Sequence, residues 1–114
     1  MAKLFEKKPV SDHIMIAAFP AKKDKGEACV FGKLVGFSDY DTASGAAGSV
    51  DVGKQIAVFQ AAKADLPTSP TGAAIGADVY LTPAGALTTT GTGNTLLGTI
   101  VAVGGDAFDV AITG

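Results

Sequence analysis

The stretch that decides the fold is DVYLTPAGALTTTGTGNTLLGTIVAVGGDAFDVAITG, residues 78–114. Asp78-Val79-Tyr80-Leu81 alternates polar with apolar, Thr82-Pro83-Ala84-Gly85 turns, and Ala86 to Thr90 returns, which predicts a β-hairpin. Gly91-Thr92-Gly93-Asn94 makes the next turn. A strand follows from Leu96 to Val103, Gly104-Gly105 reverses the chain, and Phe108, Val110 and Ile112 alternate to the end. No 12-residue stretch carries a helical period, so this part of the chain is a run of short antiparallel strands.

The same rhythm extends toward the N-terminus. Glu27 to Phe31 and Leu34 to Phe37 flank Gly32-Lys33 as a hairpin. Val50-Asp51-Val52 reads as a strand edge, and Gln55 to Ala61 as a central strand. Ser38 to Ser49 is small and polar, an exposed loop. Residues 63–76 hold Pro67, Pro70 and Gly72, which restricts them to a surface crossing with at most one helical turn. Residues 12–19 form an apolar strand stopped by Pro20. Residues 1–11, lysine-rich and interrupted by Pro9, are expected to be an extended N-terminal arm, with residues 12–114 as a single β domain. About eight strands in all predict an all-β fold, a sandwich or barrel.

Composition sets limits on function. At 114 residues, with 47% hydrophobic residues but no Trp, the chain has material for one core assembled from small side chains. The net charge is −2 and all nine basic residues are Lys, so the bidentate Arg fork that favours phosphate and guanine is missing. No nucleic-acid partner is expected, and no apolar run is long enough to span a membrane. Charge is uneven: six Lys against three acids make residues 1–25 net +3, and three Lys against eight acids make the remainder −5. A lone cysteine, Cys29, excludes an internal disulfide and fits an intracellular site of synthesis.

Catalytic constellations find little material. His13 is the single histidine, too few for a multi-histidine metal site, and it is expected to be structural or exposed. Cys29 sits in an apolar strand, where burial suppresses a thiol's nucleophilicity. Asp39 and Asp41 flank Tyr40 in a glycine-rich loop, but a calcium loop's downstream bidentate Glu is missing. Gly32-Lys33 and Gly53-Lys54 lack Walker spacing, and Leu34 and Gln55 stand where Ser or Thr would hold Mg²⁺. No catalytic, cofactor or metal residue is therefore expected, and no small-molecule substrate. Apolar residues on both faces of 14–19, 56–59 and 96–103 exceed what a thin sandwich hides, which points to association with other subunits.

Several segments resemble the small phage cement (decoration) proteins. They are Ala2-Lys3-Leu4-Phe5 leading to Pro9-Val10, the block from Gly26 to Gly36, the strand Gln55 to Gln60 with Ala57 in place of a family glycine, and Gly76-Ala77-Asp78-Val79-Tyr80-Leu81 with Gly85-Ala86-Leu87-Thr88 and Asn94-Thr95-Leu96-Leu97-Gly98. The Lys-rich turn 21–25 and the loop 38–49 depart from the pattern. The resemblance implies a jelly-roll-like all-β fold and a structural, non-enzymatic place on the outer capsid surface of a virion, after synthesis in the host cytoplasm. It further implies the major capsid protein as partner and self-association as a homodimer or homotrimer. Some relatives carry a recombinase label, against which the missing Walker motif argues. From charge and position, the partner interface is expected at Lys3, Leu4, Phe5, Lys7 and Lys8 of the arm, with Phe19. The rival readings are another virion component, tail or connector, and a small β ligand-binding module, the latter poorly served by two tyrosines and no Trp.

Overall fold

The computed structural model describes residues 4–67 and 72–113. The chain is all-β, with eight strands: β1 Leu4–Ile16, β2 Ala28–Phe31, β3 Leu34–Ser38, β4 Gly48–Ala62, β5 Asp78–Leu81, β6 Leu87–Thr88, β7 Thr95–Gly104 and β8 Ala107–Ile112. One 3-10 turn, Lys63–Asp65, falls in the expected surface crossing. All pairings are antiparallel, in the order β2-β3-β4-β8-β7-β5-β6 with β1 added on β4. Between the sandwich and barrel alternatives, the chain adopts one curled sheet, a half-barrel.

Two hairpins use the same device. Phe31↔Leu34 closes the two-residue turn Gly32-Lys33, and Gly104↔Ala107 closes Gly105-Asp106. In each, the first turn residue is a glycine at positive φ, +59° and +55°, matching the twist of the flanking strands. Gly32 is needed for a second reason: a Cβ there would collide with the Asp78 carboxylate and the Gly76 carbonyl.

β4 organises the sheet. The two strands expected at 50–52 and 55–61 are one strand of 15 residues, bent at Gly53 with φ +70°. Near its start it pairs with β3 through Phe37↔Asp51, near its end with β8 through Val58↔Ala111, and along its other edge with β1. The described part of the expected arm is extended, as read, and is laid against β4 from Leu4↔Ala61 onward, continuous with the strand that ends at Ile16.

The curl is held by contacts between strands far apart in the sheet. Ala17 N–H donates to Val101 O at 2.9 Å, joining the end of β1 to β7. At the hairpin tip, Lys33 N–H donates to Asp78 Oδ1 and Thr99 Oγ1, both at 3.1 Å, while the Thr99 hydroxyl donates to Asp78 Oδ1 at 2.9 Å. Thr99 is thereby buried with its polar atom satisfied.

Two core clusters fill the concave side. One gathers Ile14, Ile16, Phe19, Cys29, Phe31, Leu34, Val50, Ile56, Val58, Val101 and Ala111. The other gathers Ala61, Leu66, Val79, Leu87, Ile100, Phe108 and Val110. A register shift between Ile100 and Ala102 explains how neighbours Ile100 and Val101 serve different clusters, since a bulge turns two successive side chains into apolar surroundings. The apolar runs at 56–59 and 96–103 are thus mostly covered by the chain itself, and the unburied apolar surface lies elsewhere.

Candidate functional site

That surface is on the β2–β3 hairpin. Every residue from Ala28 to Phe31 and from Leu34 to Phe37 is apolar or glycine, and strand alternation sends half of them outward. Cys29, Phe31, Leu34 and Gly36 face the core, while Ala28, Val30, Val35 and Phe37 face outward. Val30 lies directly opposite Val35, and Ala28 opposite Phe37. Val30 is 66% exposed, Val35 57% and Phe37 58%. Since β2 ends the strand order, this apolar face also borders a free sheet edge, the arrangement soluble proteins usually blunt with charge.

Register extends the face across the sheet. Ala28, Phe37, Asp51 and His13 pair in sequence along β2, β3, β4 and β1, so all four side chains project from one side. The next row adds Ser49 opposite Met15, which is 48% exposed, with Asp39 N–H donating to Ser49 O at 2.9 Å. A hollow between Val35, Gly36, Phe37, Asp51, Val52 and Gly53 separates the apolar half from the polar half.

The polar half is tied together by hydrogen bonds. Ser49 Oγ donates to Asp39 Oδ2 at 2.6 Å, and His13 Nδ1 lies 2.9 Å from the same oxygen. His13 Nε2 is 3.5 Å from Asp12 Oδ1, and Asp51 Oδ1 accepts the Gly53 N–H at 2.9 Å. The residue types are those of a hydrolase triad, but the serine hydroxyl bonds to the carboxylate and not to the imidazole. No base is placed to take the hydroxyl proton. Asp41 Oδ1 accepts Lys25 N–H at 2.8 Å, so the Asp39 and Asp41 carboxylates serve separate partners and do not converge. Cys29 is fully buried, and burial pushes its thiol pKa up, away from the reactive thiolate.

The hydrogen bond to Asp39 holds the His13 pKa above the ordinary imidazole value, with Asp39, Asp12 and Asp51 charges adding to it against a smaller effect of burial. For Asp39, burial acts upward but is outweighed by the hydrogen bonds from Ser49 and His13, leaving the carboxyl below its usual range. The His13 contribution to stability is therefore complete below the ordinary imidazole range and lost as pH rises through its raised value. The Asp39 contribution runs the other way, present above the ordinary carboxylate range and lost as pH falls through its lowered value. In thermal melts across pH, His13→Gln is expected to remove the decline on the alkaline side of neutrality while leaving the acid limb in place.

The interface residues expected from sequence separate in the structure. Lys3 lies outside the described residues. Leu4, Phe5, Lys7 and Lys8 belong to β1, along the edge of β4. Phe19 is corrected: at 1% exposure it is a core residue, its ring edge-on to Phe31 with centroids 5.4 Å apart, and it offers nothing to a partner. The chain passes inward there because β1 ends at Ile16, short of the expected Phe19, and both Phe19 backbone groups bond to the 45–46 turn. Sequence reasoning missed the outer face of β2–β3. Its signal was present in the unbroken apolar character of both strands, since an edge hairpin cannot bury both its faces.

A curled antiparallel sheet with one unburied apolar face, and hydroxyl and thiol groups placed without a base, has the features of a module that docks onto other proteins. The comparison with known families is more specific. Residues 11–113 match the phage cement protein family, and the chain belongs to that family. No curated protein and no solved structure matches the chain.

Proposed function

We propose that this protein binds the outside of a tailed-phage head and stabilises the mature shell by bridging capsid subunits, with the outer face of the β2–β3 hairpin as the principal contact. Family membership supplies the class of partner, and the face of Ala28, Val30, Val35 and Phe37 is the observation that carries the contact. A ligand that binds the mature shell and not its dissociated subunits stabilises the shell by RT ln(1 + [L]/Kd), about 2.7 kcal/mol per site at a hundredfold excess over Kd. No bond is made or broken in this mechanism. Self-association as a dimer or trimer would let one particle engage two or more capsid subunits, the second contact being intramolecular and so favoured by its effective concentration.

The lysine-rich start of the chain, Lys3, Leu4, Phe5, Lys7 and Lys8, forms a second part of the contact in this reading, with charge steering it toward an acidic capsid surface. The test is co-sedimentation of the purified protein with heads that lack it. Binding at a copy number comparable to that of the capsid subunits, with heads made more resistant to heat, is the expected result. Failure to sediment with heads, or a stoichiometry of a few copies per particle at the tail, would sink the proposal. A chain lacking residues 2–9 is expected to bind more weakly, and unchanged binding would remove the arm from the contact.

A further inference from the structure

We propose that Asp12, His13 and Asp51 form a binding site for a divalent transition-metal cation, clamping β1 to β4 on the outer face. One ligand atom from each of the three residues lies within 4.8 Å of the others. One imidazole nitrogen with two carboxylate oxygens is a mixed donor set suited to borderline ions such as Zn²⁺, Co²⁺ or Mn²⁺, and three protein ligands leave open positions for water or a partner's oxygen.

Two features of the fold build this set. Asp12 and His13 are neighbours, and in a regular strand their side chains would point to opposite faces. The β1–β4 pairing is interrupted at this point: Ser11 pairs with Ile56 and His13 with Asp51, so Asp12 alone stands against Val52, Gly53, Lys54 and Gln55. Such bulges re-aim a side chain, and here Asp12 Oδ1 comes to 3.5 Å from His13 Nε2, a spacing that ligands sharing one ion can adopt. The second feature is the support behind the imidazole. Asp39 Oδ2 takes the proton of His13 Nδ1 at 2.9 Å and is itself held by Ser49 Oγ at 2.6 Å. This selects the tautomer with a lone pair on Nε2 and fixes the ring, the arrangement found behind metal-bound histidines. Asp51 is held from behind in the same way, by the Gly53 N–H on its Oδ1.

The experiment is titration of the full-length, untagged chain with ZnCl2, CoCl2 and MnCl2 by calorimetry, paired with thermal melting, with MgCl2 as control. One ion per chain is expected, with a raised melting temperature and no comparable effect of Mg²⁺. Asp51→Asn and His13→Gln are expected to weaken binding at least a hundredfold. Asp39→Asn, which keeps all three ligands but loses the positioning contact, is expected to weaken it by about 10–100-fold. The apo melting temperatures of the variants show whether each remains folded, and the Asp12→Asn variant supplies an independent ligand test should another fail to fold. Absence of saturable binding, or binding that Asp12→Asn and Asp51→Asn leave unchanged, overturns the site. The outcome is independent of head binding, because no phage component enters the assay.

Discussion

Replacing Val35 and Phe37 together with lysine is expected to abolish co-sedimentation with phage heads, a loss of at least a hundredfold in affinity, while the isolated protein melts within a few degrees of the parent. The two side chains are more than half exposed, so their removal costs the free protein little packing. Lysine is tolerated on edge hairpins, and at position 37 it would stand opposite Asp51, an attractive cross-strand pair. In a docked state the same ammonium groups would be buried against apolar partner surface with no acid placed to meet them. Each unpaired buried charge costs more than the 1–3 kcal/mol of an unsatisfied neutral group, so two exceed the 2.8 kcal/mol, approximately, that a hundredfold loss requires. Loss of the aromatic anchor adds to this, because exposed aromatics at the centre of a contact carry a large share of its energy. Phe37→Leu, which keeps the face apolar, is expected to bind at nearly the parent level. Head binding by the double lysine variant at parental strength would exclude this face from the contact.

How far the sequence spoke depends on whether a feature is local. The turns at Gly32-Lys33 and Gly105-Asp106 were readable because a two-residue hairpin loop determines its own register, and both hairpins have the partners those loops dictate. The crossing at 63–65 and the strands at 78–81 and 107–112 were legible for the same reason. β4 was not, because Gly53-Lys54 looks like a turn unless β1 is known to run along both sides of the bend. The proposed metal site was hidden by the same step. Asp51 meets His13 only through the β1–β4 register, across 38 residues of intervening chain, and Asp12 joins them only through the interruption beside it. A single histidine argued against a metal site when judged by number alone, while its neighbours in space include three carboxylates.

Phe19→Ala is expected to destabilise the protein by about 3–5 kcal/mol, the range for truncating a buried aromatic, and to lower its melting temperature by roughly 10–20 °C for a chain of this size. The ring packs against Phe31 at 5.4 Å with an interplanar angle of 63°, an edge-to-face contact, and lies close enough to Gly48 that a Cβ there would strike it. Gly48 starts β4, so the ring fixes where the central strand begins. Relaxation into the vacated space is opposed on the backbone side, because Phe19 N–H donates to Ala46 O at 2.9 Å and Phe19 O accepts from Gly45 N–H at 2.7 Å. A cavity therefore persists and its cost falls at the high end of the range. Against a total stability of about 5–15 kcal/mol typical of such domains, this loss is a large fraction of the whole. The measurement also separates the two roles considered for this residue. A contact residue for the shell would leave the melting temperature unchanged and weaken head binding alone, whereas a core residue lowers the melting temperature first and affects binding only where the fold is lost, which is the outcome that 1% exposure dictates.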